Sequence, residues 1–179
     1  MSRFLSEKYA DLEAYTPGEQ PRDKKYIKLN TNESPYPPSP GVLAAVGIPE
    51  LEDLRLYSDP EGMALREKLA TLYGCQPGHV FLSNGSDDIL NFAFMAFAQG
   101  GAVFPGLTYS FYPVFADLHK VPYTTVPLRE DFTLDVDGLC ATGKFTVLAN
   151  PNAPTGIALP LAEVERIVAA NPARVVVVD

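Results

Sequence analysis

The most constraining feature of this sequence is an alternation of short apolar segments and helix-patterned segments that begins near Pro60. Residues 145–149 and 175–178 are typical of strands buried in a parallel sheet, because their apolar residues do not alternate strictly with polar ones. Between them, apolar residues recur at helical spacing from Leu161 to Val168. A strand, a helix and a second strand with short connections predict a right-handed βαβ unit. We therefore expect an α/β fold, with a mostly parallel sheet flanked by helices.

The remaining pattern extends this alternation. Further predicted elements are helices ending at Gly74 and over residues 89–98 and 109–119, and strands over residues 80–83, 102–104 and 121–126. The helix over residues 89–98 is apolar on nearly all sides and is therefore predicted to be buried. Prolines between residues 35 and 40 predict extended backbone instead of helix. We expect an irregular arm over residues 1–59 and a globular domain that starts at residue 60.

Composition narrows the function classes. The 179 residues carry 14 basic and 22 acidic side chains, a formal net charge of −8, which argues against a protein that binds the nucleic-acid backbone. Apolar residues make up 46% and charged residues 20%, so a packed core is expected and general disorder is excluded.

Membrane, export and metal functions find no support in the residue pattern. The longest apolar run, residues 92–98, is far shorter than the ~20 residues that cross a bilayer, and charged residues near Met1 do not fit a secretory signal. Cys75, Cys140, His79 and His119 are scattered, so neither a metal site nor a disulfide framework is expected. We expect a protein of the reducing cytoplasm.

The valine run places a buried-strand pattern at the end of the sequence. Natural chain ends usually lie at the surface in polar segments, whereas this chain ends at Asp179, directly after four valines. We therefore expect these residues to be part of a longer chain.

Three polar segments are predicted at one edge of the sheet, where ligands of open parallel sheets bind. The first contains Gly85, Ser86 and Asp87, where a tight turn precedes a helix whose backbone amides suit a phosphate group. An ordinary helix N-cap made by serine or aspartate explains the same residues. Both interpretations stay open.

The other two segments are the loop of residues 150–156 and the terminal Asp179. The loop is longer than a simple connection needs, so it is either a rigid connector or a ligand site in which the Asn152 amide reaches a phenolic oxygen. Burial would neutralise Asp179 unless a cation or donors face it, and a protonated ring nitrogen is such a cation. Tyr109, after another strand, is placed to stack on a flat ring or to be plain core.

Together these segments resemble a known family. The matching motifs are Leu-Asn-Thr-Asn-Glu, Arg-Leu-Tyr, Gly-Ser-Asp, Thr-Tyr, Asn-Pro-Asn-Ala-Pro-Thr-Gly and Val-Asp, at residues 29–33, 55–57, 85–87, 108–109, 150–156 and 178–179. Their order and spacing resemble the amino-terminal half of histidinol-phosphate aminotransferases, which are class II aminotransferases of the fold-type I, pyridoxal 5'-phosphate (PLP)-dependent group. The resemblance covers almost the whole chain.

The resemblance implies a fold, a cofactor and a set of roles. The fold is the fold-type I large domain, incomplete in residues 60–179 and preceded by an arm and the start of a small domain in residues 1–59. The cofactor is PLP. Ser86 and Asp87 would hold its phosphate through backbone amides, Tyr109 would stack on its ring, and Asp179 would keep the ring nitrogen protonated.

The arm is implied to serve the substrate and the neighbouring subunit. Tyr15, Asn32 and Glu33 would lie near the phosphorylated substrate. Tyr57 would reach the cofactor phosphate of the neighbouring subunit, which requires a homodimer.

Two departures from the family pattern bear on the site. The family usually has asparagine directly before Pro-Thr-Gly, where this chain has Ala153, so Asn152 is the substitute for contact with the phenolic oxygen. A Schiff-base lysine has no candidate here, because Lys120 and Lys144 precede strands, at the opposite edge of the sheet. The family's lysine and substrate-binding arginines come later in the chain. We therefore expect no catalytic residue in these residues and no activity from them alone.

The implied activity of the parent protein is amino transfer between glutamate and imidazole-acetol phosphate in histidine biosynthesis. A decarboxylase similar to the threonine-phosphate decarboxylases and an aromatic amino acid aminotransferase stay open, because cofactor contacts barely change between these activities. A non-catalytic α/β module that binds a phosphate at residues 85–87 is an alternative of another class. Against it, neither Gly-x-Gly-x-x-Gly nor a Walker lysine occurs at a strand-to-helix turn.

Overall fold

The computed structural model describes residues 54–179 and, before them, residues 6, 9, 19, 21, 23, 24, 26–31, 33–46 and 52. The chain divides into two compact units, one of residues 16–82 and one built on residues 83–179. We describe each unit by itself. The domain border expected at residue 60 stays a prediction.

The first unit contains short helices. Helix α1 spans Pro40–Ala45, α2 spans Met63–Tyr73, and a 3₁₀ turn spans Pro77–His79. The predicted stop of α2 is confirmed, because Gly74 ends it in a left-handed conformation with φ of 66°.

Helix α1 corrects the expectation that the proline-rich segment excludes helix. Pro40 occupies the first helical turn, where its missing N–H has no partner to lose, and the Ser39 hydroxyl accepts the N–H of Val42 at 3.3 Å. The last proline of the run therefore starts a helix.

The second unit is the α/β domain. Its elements in chain order are α3 (Ser86–Phe97), β1 (Ala102–Pro105), α4 (Phe111–His119), β2 (Tyr123–Val126), α5 (Val136–Cys140), β3 (Phe145–Leu148), α6 (Leu161–Ala170) and β4 (Val176–Val178). The strands are parallel and lie in the order β2-β1-β3-β4. These findings confirm the predicted alternation and the parallel sheet.

Side chains of the central strands alternate between two cores. Every residue of β1 and β3 is buried. Ala102 and Phe104 pack in a cluster with α3 and α4, whereas Val103 packs in a second cluster with α5 and α6. Helices therefore cover both faces of the sheet, and the carboxyl ends of the strands point to one edge, which we call the carboxyl edge.

Two expectations about single elements are wrong. Residues 80–83 form no strand, because none of the four strands of the described sheet pairs with them. Helix α3 buries Leu90 and Phe94 yet leaves Phe92 and Met95 exposed, because it packs on the sheet and on α4 with one face. The strand predicted at the valine run is confirmed as β4, which pairs with β3.

Candidate functional site

The start of α3 lies at the carboxyl edge and is capped by glycine. Gly85 has φ of 81° and ψ of 178°, a conformation that is essentially restricted to glycine. Ser86 is the first helical residue, so the expected serine or aspartate N-cap is not what the structure shows. Gly85 carries no side chain, so it makes no side-chain cap bond to the first-turn amides of α3.

Tyr109 connects the turn after β1 to this helix start. Its hydroxyl donates to the Asp87 carboxylate at 3.0 Å. Its ring stacks on Phe111, with centroids 5.5 Å apart, and meets the edge of the Tyr112 ring at 5.6 Å and 82°. Two residues that the sequence predicts for one ligand are therefore in direct contact.

Asp179 continues β4 at the same edge. Its N–H donates to the carbonyl of Leu148 at 2.9 Å, and its carbonyl accepts the N–H of Asn150 at 2.9 Å. The Tyr112 hydroxyl donates to its carboxylate at 3.0 Å, so a donor of the kind that the sequence interpretation requires faces Asp179.

Tyr112 is a residue that the sequence interpretation missed. It is fully buried, and burial together with the negative charge of Asp179 raises the pKa of its hydroxyl well above the usual value. The hydroxyl therefore stays protonated and remains a donor at neutral pH. Its position three residues after Tyr109, next to the start of a helix, is the signal that places both tyrosines near one another.

Asn152 holds two loops of the carboxyl edge together. Its side chain is buried, its Oδ1 accepts the Thr108 hydroxyl at 2.9 Å, and its Nδ2 donates to the Leu107 carbonyl at 3.1 Å and to the Thr155 hydroxyl at 3.3 Å. Both hydrogens of Nδ2 therefore have protein acceptors. The rigid-connector interpretation of the loop has direct support, and contact with a phenolic oxygen stays a prediction.

Asn150 strengthens the same loop. Its Oδ1 accepts the N–H of Leu159 at 2.8 Å and its Nδ2 donates to the carbonyl of Leu159 at 3.2 Å. The side-chain amide of Asn150 thus both donates to and accepts from the backbone of Leu159, as paired residues of neighbouring strands do. This pairing closes the loop before α6 begins.

Two of the four predicted arm residues lie among the described residues. Tyr15 and Asn32 lie outside the described residues. Glu33 belongs to the first unit, where the hydrogen bond and positive charge of Lys28 hold the pKa of its carboxyl below the ordinary value. Tyr57, in the same unit, is fully exposed. Their roles stay predictions.

No described helix is long and apolar enough to cross a membrane. No group of three or more His, Cys, Asp or Glu side chains in the described part of the chain is arranged to hold a metal ion.

Comparison with known protein families identifies the family of this chain. The family described as aminotransferase class I and II matches residues 24–179, a range that contains α3, the sheet and Asp179. The chain belongs to this aminotransferase family.

Curated aminotransferases match the chain from end to end. Histidinol-phosphate aminotransferase of Brachyspira hyodysenteriae is 47% identical over 181 residues, which cover all of this chain and 51% of that protein. Histidinol-phosphate aminotransferase 1 of Burkholderia pseudomallei is 51% identical over 185 residues, which cover all of this chain and 52% of that protein. The chain spans about half the length of the curated relatives it matches.

A solved aminotransferase structure confirms the fold class. The crystal structure of histidinol-phosphate aminotransferase from Sinorhizobium meliloti in complex with pyridoxal-5'-phosphate has a TM-score of 0.75 and 29% sequence identity, over 83% of this chain and 42% of that chain. The predicted fold-type I architecture is therefore correct.

Proposed function

We propose that the full-length protein is a PLP-dependent aminotransferase that transfers an amino group between glutamate and imidazole-acetol phosphate in histidine biosynthesis. The observation that carries the proposal is the meeting of the α3 start, Tyr109 and Asp179 at one edge of the sheet, linked by the Tyr109–Asp87 and Tyr112–Asp179 hydrogen bonds. Identity of about half of all positions to curated histidinol-phosphate aminotransferases supports the substrate.

The residues at this edge suit the three chemical parts of PLP. Backbone N–H groups of Ser86 and Asp87 would hold the phosphate, the Tyr109 ring would cover the pyridine ring, and the Asp179 carboxylate would accept the N–H of the ring nitrogen. When bound, PLP supplies an electron sink whose strength depends on that protonated nitrogen. The chain's own contribution is therefore to bind, orient and keep one proton in place.

The proposed contact of Asn152 with the phenolic oxygen of PLP requires a change in the hydrogen bonds of its side chain. To reach a phenolic oxygen, its Nδ2 has to exchange an acceptor, and the Thr155 hydroxyl at 3.3 Å is the longer of its two contacts. Ala153 offers no polar group to take the task instead.

The proposal assigns the covalent attachment of PLP to a lysine outside these residues. The described lysines of the second unit, Lys120 and Lys144, directly precede segments that run into β2 and β3, so they lie at the opposite edge from Asp179. The proposal also includes a homodimer, in which the partner subunit's Tyr57 reaches the phosphate, and a cytoplasmic location.

The decisive experiment measures amino transfer by the full-length protein. With PLP and glutamate, imidazole-acetol phosphate should be consumed and 2-oxoglutarate should appear in equal amounts. Faster turnover of an aromatic keto acid, or release of carbon dioxide from threonine phosphate, would replace the proposed substrate with one of the alternatives. Binding of mononucleotides without binding of PLP would contradict the whole proposal.

A second experiment tests the assignment of the lysine. Residues 1–179, incubated with PLP and reduced with borohydride, should carry no stable adduct on a single lysine. Lys120→Arg and Lys144→Arg are matched variants that should leave PLP attachment to the full-length protein unchanged. Loss of attachment in either variant would contradict the assignment.

A further inference from the structure

We infer that Tyr112 is a positioning residue that sets both Asp179 and Tyr109 for the cofactor ring. The inference rests on the proposed function, because it concerns how the same edge holds PLP. It adds a buried residue that needs no contact with the cofactor to act. Tyr112 contacts both Asp179 and Tyr109, the two side chains proposed to bind the pyridine ring.

The contact with Asp179 ties its carboxylate to a side chain of the core. The Tyr112 ring is fully buried and packs against Phe104, with centroids 5.9 Å apart. The hydroxyl is therefore held by the core, and its bond to Oδ2 at 3.0 Å leaves Oδ1 for a ring nitrogen.

The chemistry of the donor suits this task. A lysine or arginine facing Asp179 would compensate the charge that a protonated ring nitrogen needs. A neutral hydroxyl orients the carboxylate and leaves its charge in place. Burial keeps the Tyr112 hydroxyl protonated, so it does not become a second anion beside Asp179.

The contact with Tyr109 supports the stacking ring from behind. The two rings meet edge to face at 82°, with centroids 5.6 Å apart, an arrangement that aromatic pairs favour. The far end of Tyr109 is tied to Asp87 by a 3.0 Å hydrogen bond. Tyr112 therefore belongs to a continuous series, Asp87, Tyr109, Tyr112 and Asp179, that runs from the phosphate end of the site to the ring-nitrogen end.

The test uses Tyr112→Phe in the full-length protein, because phenylalanine keeps the ring that supports Tyr109 and removes the hydroxyl that holds Asp179. Tyr123→Phe is the matched control, since Tyr123 packs on Phe104 from β2 and lies outside the proposed site. With ring-labelled PLP, the pyridine nitrogen NMR signal of Tyr112→Phe should move toward the unprotonated position. PLP affinity should fall about tenfold, as expected for a lost hydrogen bond to a charged group. The turnover number should fall while KM for the phosphorylated substrate stays unchanged.

A crystal structure of the Tyr112→Phe protein without PLP gives a readout that does not depend on the cofactor. The Asp179 side chain should leave the rotamer seen here, and Tyr109 should keep its place. An unchanged Asp179 rotamer, or a nitrogen signal equal to that of Tyr123→Phe, would overturn the inference. Loss of the folded state in Tyr112→Phe would also overturn it, because the hydroxyl would then hold the fold and not the carboxylate. Failure of the unmodified protein to bind PLP would instead contradict the proposed function.

Discussion

The two edges of the same sheet are built by different means. At the carboxyl edge, side chains from separate elements hold one another, as in the pairs Tyr109 with Asp87 and Tyr112 with Asp179. At the opposite edge, which we call the amino edge, the N–H of Gly101 donates to the carbonyl of Ala98 at 2.9 Å and closes the turn after α3. The N–H of Ala102 donates to the carbonyl of Pro122 at 2.9 Å and joins the starts of β1 and β2.

This difference separates function from stability within one domain. The side chains of Asp87 and Asp179 lie outside the two hydrophobic clusters, so changes to them should alter ligand binding more than folding. Tight turns at the amino edge allow few backbone conformations, so changes there should alter folding and leave the ligand untouched. Variants at the two edges therefore test whether the division is real.

The largest effect is expected at Asp179. Replacement by alanine removes the carboxylate proposed to raise the ring-nitrogen pKa by two or three units, which corresponds to about 3–4 kcal/mol or a roughly 100- to 1,000-fold lower turnover number. The melting temperature of the protein without PLP should fall slightly, because the buried Tyr112 hydroxyl loses its acceptor. Asp117→Ala, an exposed aspartate on α4, is the control and should keep full activity. Equal losses of activity in the two variants would contradict the proposed role of Asp179 at the carboxyl edge.

The next effect is expected at the amino edge, at Gly101. Its φ is 96°, and a Cβ atom there would lie 3.0 Å from the carbonyl oxygen of Pro122, so alanine is strained by conformation and by contact. We expect Gly101→Ala to lower the free energy of unfolding by about 3 kcal/mol, from thermal unfolding, with unchanged PLP affinity. Gly100→Ala is the matched control, because its Cβ would have only ordinary contact with Arg174 at 3.7 Å. Similar melting temperatures for the two variants would contradict the prediction.

The sheet was predictable because its signal is local and its burial is two-sided. Residues 145–149 are apolar except for Thr146, as expected of a central strand, and β3 was found there with every residue buried. The valine run has the same character, and β4 was found there, paired with β3. Helix α5 was not predicted, since five residues give too short a pattern to establish helical spacing.

The site was only partly predictable because polar contacts depend on distant residues. The sequence indicated Asp87, Tyr109 and Asp179 because each lies in a segment that follows a predicted strand. In a parallel sheet, such segments meet at the carboxyl edge. Tyr112 has the character of a core residue, and its partner Asp179 lies 67 positions later in the chain. The hydrogen bond from the Thr108 hydroxyl to Asn152 joins residues that are 44 positions apart. Such pairings appear only when the strand order brings the loops together.

A third prediction compares two glycines that lie at opposite edges of the sheet and have free space around the position of a Cβ atom. Gly85 at the carboxyl edge and Gly143 before β3 have φ of 81° and 60°, and a Cβ atom at either position meets nothing within 4 Å. Alanine at each position should therefore cost about 1–2 kcal/mol of folding free energy from backbone conformation alone. Only Gly85→Ala should also weaken PLP binding, measured by fluorescence titration, because it alone shifts the amides of Ser86 and Asp87. Equal PLP affinity in the two variants would argue against the phosphate site.

The smallest effect is a pH dependence that isolates Tyr112. Its pKa is raised in the folded protein by burial and then by the charge of Asp179, whereas an unfolded tyrosine titrates near pH 10. The stabilisation is fully present below about pH 10 and is lost as pH rises further, since the unfolded chain then releases a proton that the folded protein retains. The stability difference between the unmodified protein and Tyr112→Phe should therefore be constant up to about pH 9. It should then fall by at most about 1.4 kcal/mol by pH 11, measured by chemical unfolding at each pH. A difference that stays constant to pH 11 would mean that this hydroxyl is not the buried donor that joins the core to the carboxyl edge.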